Sequence, residues 1–103
     1  MSETGLVASG ERGANPGVHI WDLETLSTQR VFKGHHRHDI YLLEFIDLDN
    51  YLITCGLRLN TPIIIYNLKK GNIFLSINVD QFIRNIIPVK DLIGKYLLNI
   101  KYY

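Results

Sequence analysis

The sequence predicts an all-β fold. Short apolar segments rich in β-branched and aromatic residues recur through its 103 residues. Clusters of Gly, Pro, Asn and Asp separate them at regular intervals, which is the punctuation of tight turns between strands. Alanine, the strongest helix former, is scarce.

Taken in order, residues 6–9 form a first apolar run, and Gly10, Gly13, Pro16 and Gly17 turn the chain after it. Residues 18–21 make the next strand, 22–26 a tight turn, and 27–32 another strand that stops before Gly34. Residues 40–46 are β-branched and aromatic, and Asp47, Asp49 and Asn50 then supply turn chemistry. A strand over 51–55, a hairpin over 56–61 and a nearly unbroken β-branched strand over 62–66 follow. Residues 67–71 form a turn with Lys69, Lys70 and Gly71 at its tip, before a strand over 73–79. Residues 83–89 read as a strand or a short helix, and Pro88 argues against a continuing helix. Residues 95–103 carry a strand pattern. Short strands this regularly spaced indicate a sandwich, barrel or propeller.

Composition narrows the function classes. The formal net charge of +1 gives no basis for nucleic acid or an anionic membrane as partner. The sequence holds no run of about 18 apolar residues, so no spanning helix is expected. The opening MSETGLVASGERG lacks a basic segment followed by an apolar core, which argues against a secretory signal. The single cysteine, Cys55, leaves no intrachain disulfide and fits a reducing, cytoplasmic setting.

An internal repeat carries more information than any one segment. LVASGERGANPGVHIWDL (6–23) and LITCGLRLNTPIIIYNL (52–68) share one order: apolar strand, Gly, polar turn with Asn and Pro, β-rich strand, aromatic, Asp or Asn, Leu. Trp21 and Tyr66 are 45 positions apart, and Gly10 and Gly56 are 46 apart, so the second hairpin is expected to be one residue shorter. NYLIT at 50–54 is answered by KYLLN at 95–99, again 45 residues later.

A period of roughly 40–45 residues with four strands per unit resembles the WD40 propeller blade. Gly34 and His35 resemble the Gly-His pair that opens a blade, and Trp21 with Asp22 resembles the Trp-Asp pair that ends its third strand. Within that family, the Ala-Ser-Gly-Glu run, the Asn-Pro hairpin, Ile-Trp-Asp and Gly-His-His are similar to blades of echinoderm microtubule-associated protein-like (EMAP-like) and related ciliary WD-repeat proteins. The resemblance covers about residues 6–79. It implies a partial propeller of about two blades of four-stranded antiparallel sheet. Residues 1–34 would be an incomplete blade (strands b, c and d), 35–80 a complete blade, and 81–103 the start of a third or an irregular tail. Further blades or another chain would be needed to close the ring, and both outer sheet faces would be exposed apolar surface.

In that family the Gly-His histidine bonds an Asp of the b–c hairpin and a Ser or Thr of strand b, which reaches the strand-c Trp. The resemblance places His35, Thr54 or Cys55, and Tyr66 in this role in the second blade, with Asn67 in the place of Asp. Leu57, Leu59, Asn60 and Thr61 occupy its hairpin, which therefore lacks the acid. In the first blade Ser9 and Trp21 take these places, with Asn15 where an acid would sit.

Other readings of the polar residues compete with this one. His35, His36 and His38, with His19 and Asp39, suggest a metal site, but zinc ligands normally converge from separated pairs and no second cluster exists. Cys55 with a histidine suggests a nucleophile, but a lone Cys within a strand is usually buried and inert. No carboxylates pair for acid–base work. The expectation is therefore a protein without catalytic residues, metal or cofactor: a protein-interaction scaffold. Its partner-binding loops would hold Arg12, Glu24, His36, Arg37, His38, Arg58, Lys69 and Lys70. The EMAP-like resemblance implies tubulin or axonemal partners and a cytoskeletal or ciliary location. The alternative is a WD40 adaptor in a ligase or signalling complex with no cytoskeletal role.

Overall fold

The computed structural model describes residues 5–11, 15–34, 36, 39–47, 49–56, 61–79, 83–90 and 96–102. These residues form nine strands and no helix: β1 (Leu6–Gly10), β2 (Val18–Asp22), β3 (Thr28–Phe32), β4 (Ile40–Ile46), β5 (Tyr51–Gly56), β6 (Thr61–Asn67), β7 (Asn72–Val79), β8 (Ile83–Lys90) and β9 (Tyr96–Tyr102). Each predicted strand is present, with ends shifted by a residue or so. Residues 83–90 are a strand despite Pro88, which faces Leu98 of β9 in the ladder. β8 lies at the edge of its sheet, where a missing ladder donor is tolerated.

The strands make three antiparallel up-and-down sheets: β1-β2-β3, β4-β5-β6-β7 and β8-β9. The sheets do not close on one another. The chain is all-β, and its open succession of meander sheets is that of part of a propeller.

The first and middle sheets repeat each other residue for residue. Leu6 to Gly10 pair with Asp22 to Val18, and Tyr51 to Cys55 pair with Asn67 to Ile63, each partner displaced by 45. The β2–β3 ladder shifts register between Ile20 and Trp21, and the β6–β7 ladder shifts between Ile65 and Tyr66, again 45 residues on. The expectation of a shortened second hairpin is thus corrected. Cys55, not Gly56, stands where Gly10 stands, and both hairpins span the same length. Gly10 is glycine for a local reason: a side chain there would meet Ile40 of β4 at 2.8 Å.

The turns after β2 and β6 also match. Leu26 N donates to Asp22 O, and Gly71 N to Asn67 O, both at 2.8 Å. Asp22 Oδ1 accepts from Thr25 N at 3.1 Å, and Asn67 Oδ1 from Lys70 N at 3.0 Å. Short polar side chains that bond backbone two or three residues on explain why Asp or Asn ends each strand. The last turn position is left-handed in both, with φ of 59° at Leu26 and 74° at Gly71.

The middle sheet is covered on both faces. On one, Leu52, Ile64 and Tyr66 pack against Val18, Ile20 and Phe32 of the first sheet. On the other, Ile53, Cys55, Ile63 and Ile65 pack against Ile83 and Ile86 of the third. A strand buried on both faces needs no polar alternation, which accounts for the Ile63–Ile65 run. Each such side chain contributes roughly 1.5–3 kcal/mol by leaving water. The outer faces are not uniformly apolar, contrary to expectation. On the third sheet the outer face carries Asn85, Asn99 and Lys101 beside Ile87. His19, Trp21 and Val31 lie on the outer face of the first.

Candidate functional site

The polar residues to which the WD40 resemblance gave structural roles fall at two equivalent places. In the first sheet, Trp21 Nε1 donates to Ser9 Oγ at 3.0 Å. In the middle sheet, Thr54 takes the place of Ser9 and Tyr66 that of Trp21, 45 residues on. Tyr66 shares a hydrogen bond with the Thr54 side chain, and Thr54 Oγ1 lies 2.6 Å from His36 Nε2. A chain of three side chains, His36–Thr54–Tyr66, thereby links the approach to β4 with β5 and β6.

This overturns one assignment. His36, expected in a partner-binding loop, is 2 % exposed and bonded to Thr54 in the interior. His35, Arg12, Arg37, His38 and Arg58 lie outside the described residues. Gly34 is an exposed, left-handed residue with φ of 83°, just beyond β3. Thr54 and Tyr66 are fully buried. Burial pushes the Tyr66 phenol up to about 12, with the Thr54 bond acting in the opposite sense. The Tyr66 phenol therefore stays protonated and neutral over the physiological range.

Cys55 also lies in the core. Burial raises its thiol to about 11, and Sγ donates to Gly56 O at 3.3 Å. At neutral pH it stays a protonated thiol, the unreactive form. Among the described residues no three His, Cys, Asp or Glu side chains cluster to hold a metal ion. His19 Nε2 instead lies 2.8 Å from Glu11 Oε1, with Trp21 stacked beside its ring. That hydrogen bond is the main reason the Glu11 carboxyl lies below its ordinary value.

Lys69 and Lys70 are exposed on the β6–β7 turn, as the sequence predicts, and Glu24 is exposed on the equivalent β2–β3 turn. Between the two sheets at this rim runs an open cleft of about 390 Å³, lined among others by Ile20, Arg30, Asn50, Leu68 and Lys69. Arg30 crosses it: Nε donates to Leu68 O at 2.5 Å and Nη2 to Lys69 O at 2.7 Å. Its guanidinium fills the place a side chain on Gly71 would occupy. Arg30 was not apparent as a functional residue from the sequence. The one available signal is its alternation with Phe32, which puts both on the face turned to the middle sheet. Phe32 stacks on Tyr66 with ring centroids 4.2 Å apart. Ring and guanidinium together pin the first sheet to the second.

No family model matches the chain, and no solved structure matches it.

Proposed function

We propose that this chain is a non-catalytic interaction scaffold of WD-repeat type that associates with microtubules or the axoneme. The observation that carries the reading is the repetition of one strand register, one bulge and one polar pair at a spacing of 45 residues. Among the described residues, the groups that chemistry would use are engaged with one another or buried. His36 and Thr54 bond each other inside the protein, His19 holds Glu11, and the Cys55 thiol is protonated in the core.

What faces the solvent is a rim of turns. Exposed Lys69 and Lys70, beside the Arg30 cleft, offer positive charge to an acidic partner surface such as that of tubulin. The cytoskeletal partner rests on the resemblance to EMAP-like blades.

Microtubule co-sedimentation at two salt concentrations tests it. The chain is expected in the pellet, less so at higher salt, and Lys69→Glu with Lys70→Glu is expected to lower the bound fraction at least fivefold. Failure of the unaltered chain to pellet would remove the cytoskeletal partner and leave the adaptor role in a ligase or signalling complex.

A further inference from the structure

Arg30 is half-buried at the rim between the first and middle sheets. Two of its five guanidinium N–H groups are used, Nε on Leu68 O and Nη2 on Lys69 O. Both acceptors are neutral carbonyls. No carboxylate among the described residues forms an ion pair with it. The two bonds fix the planar fork, and a guanidinium fixed in this way binds carboxylates through paired N–H bonds. The cleft it lines, about 390 Å³, has the size of a small-ligand site, about 300–1,000 Å³.

The rest of the lining selects the ligand. Leu6, Ile20 and Leu68 are apolar and suit a charged group carried on methylenes. Lys69 is a second cation, exposed to solvent. Asp49, 8 % exposed, lines the same cleft. Arg30 and Lys69 against Asp49 leave one formal positive charge. One carboxylate balances it. A phosphate monoester carries about −1.5 to −2 at pH 7, overshoots that balance and is repelled by Asp49.

We propose that this cleft is a socket for a single glutamate side chain of an acidic partner polypeptide. The carboxylate lies across the Arg30 fork and is met by Lys69, while its two methylenes lie on Leu6 and Leu68. The proposal rests on the reading of this rim as the surface that meets an acidic partner, and it names the group the rim selects. The cleft opens on the inner face of the first sheet, so its walls do not depend on what stacks on the outer faces.

The probe is hexaglutamate blocked at both ends, titrated into the full chain labelled with nitrogen-15. It is expected to bind saturably with Kd below about 1 mM. The Arg30 Nε–H and Gly71 amide signals should shift together, because the guanidinium lies against Gly71. Blocked hexaaspartate, one methylene shorter per side chain, is expected to bind at least threefold more weakly. Gln29→Glu places a competing carboxylate on an exposed residue of the cleft and is expected to weaken binding at least tenfold. Val31→Glu, the same charge change on the outer face of the first sheet, is expected to bind within twofold of the unaltered chain. Arg30→Lys keeps the charge but loses the fork, and is expected to weaken binding at least fivefold with far-UV circular dichroism unchanged. Asp49→Asn is expected to admit a blocked phosphoserine peptide that the unaltered chain binds at least fivefold more weakly. Shifts confined to residues away from Arg30 and Gly71, equal loss in Gln29→Glu and Val31→Glu, or tighter binding of blocked hexalysine would overturn the proposal. Hexaglutamate bound in the cleft by a chain that fails to pellet with microtubules would remove the cytoskeletal partner alone. Pelleting unaffected by Gln29→Glu and Arg30→Lys, with no hexaglutamate bound, would remove the socket alone.

Discussion

β2 and β6 are the same strand in two settings. They share ladder register, a bulge at the same step and the same capping of the following turn. Yet β6 is buried on both faces, whereas β2 buries Val18 and Ile20 and leaves His19 and Trp21 half exposed. The backbone path is thus fixed by local signals at strand ends, while burial is fixed by place in the stack. The side chains follow: Ile64 stands in β6 where His19 stands in β2, and Tyr66 where Trp21 stands.

A charge placed at the two equivalent positions gives the sharpest contrast. Ile64→Lys buries an unpaired ammonium between two sheets and is expected to cost more than ~4 kcal/mol, enough to unfold a domain of ordinary stability. His19→Lys, beside Glu11 on the outer face, is expected to change stability by less than ~0.5 kcal/mol. Urea titrations followed by circular dichroism measure both. Similar midpoints for the two variants would break the comparison.

Removing the aromatic from each strand should separate them less widely. Tyr66→Ala empties a fully buried site and leaves Thr54 and Phe32 without their ring partner, at an expected ~3–5 kcal/mol. Trp21→Ala removes a half-exposed ring and one hydrogen bond, at an expected ~1–2 kcal/mol. The same denaturant experiment reads the ratio.

Alkaline pH probes two buried groups of the middle sheet. The folded state raises Cys55 from 9.0 to about 11 and Tyr66 from 10.0 to about 12. Above pH 9 the unfolded chain therefore loses protons that the folded chain keeps, and stability must fall as pH rises. Thermal melts between pH 8 and pH 11 should show this decline, and Cys55→Ala should make it shallower. A melting temperature flat across that range would show that the middle sheet does not withhold these groups from water.

The smallest effect concerns the turns. Leu26 occupies the left-handed position that Gly71 fills in the second repeat, and its side chain is 72 % exposed. Leu26→Gly is expected to stabilise the protein by about 0.5 kcal/mol, because the left-handed strain of a side chain outweighs glycine's greater unfolded-state entropy. A modest rise in melting temperature would confirm that the two turns are the same.

Much of this was legible in the chain. Asp22 and Asn67 mark turns because their side chains bond nearby backbone, and β-branched runs mark strands. The WD40 resemblance implied Ser9 with Trp21 and Thr54 or Cys55 with Tyr66, and the structure bonds Ser9 to Trp21 and Thr54 to Tyr66. His36 was expected in a partner-binding loop, yet its ring is buried against Thr54. Only the packing of distant strands decides whether a polar residue outside the strands meets solvent or core. Hairpin length failed for a similar reason. Gly10 and Gly56 look equivalent by type, but hydrogen-bond register pairs Gly10 with Cys55's position.

By itself, then, the sequence determined the strands, their order and the 45-residue period, since these rest on backbone preference and turn chemistry between near neighbours. Tertiary structure alone decided which face of each strand was covered, that His36 enters the core, and that Arg30 and Phe32 lock one sheet to the next. Those outcomes depend on contacts between residues tens of positions apart, where burial, not local propensity, sets the free energy.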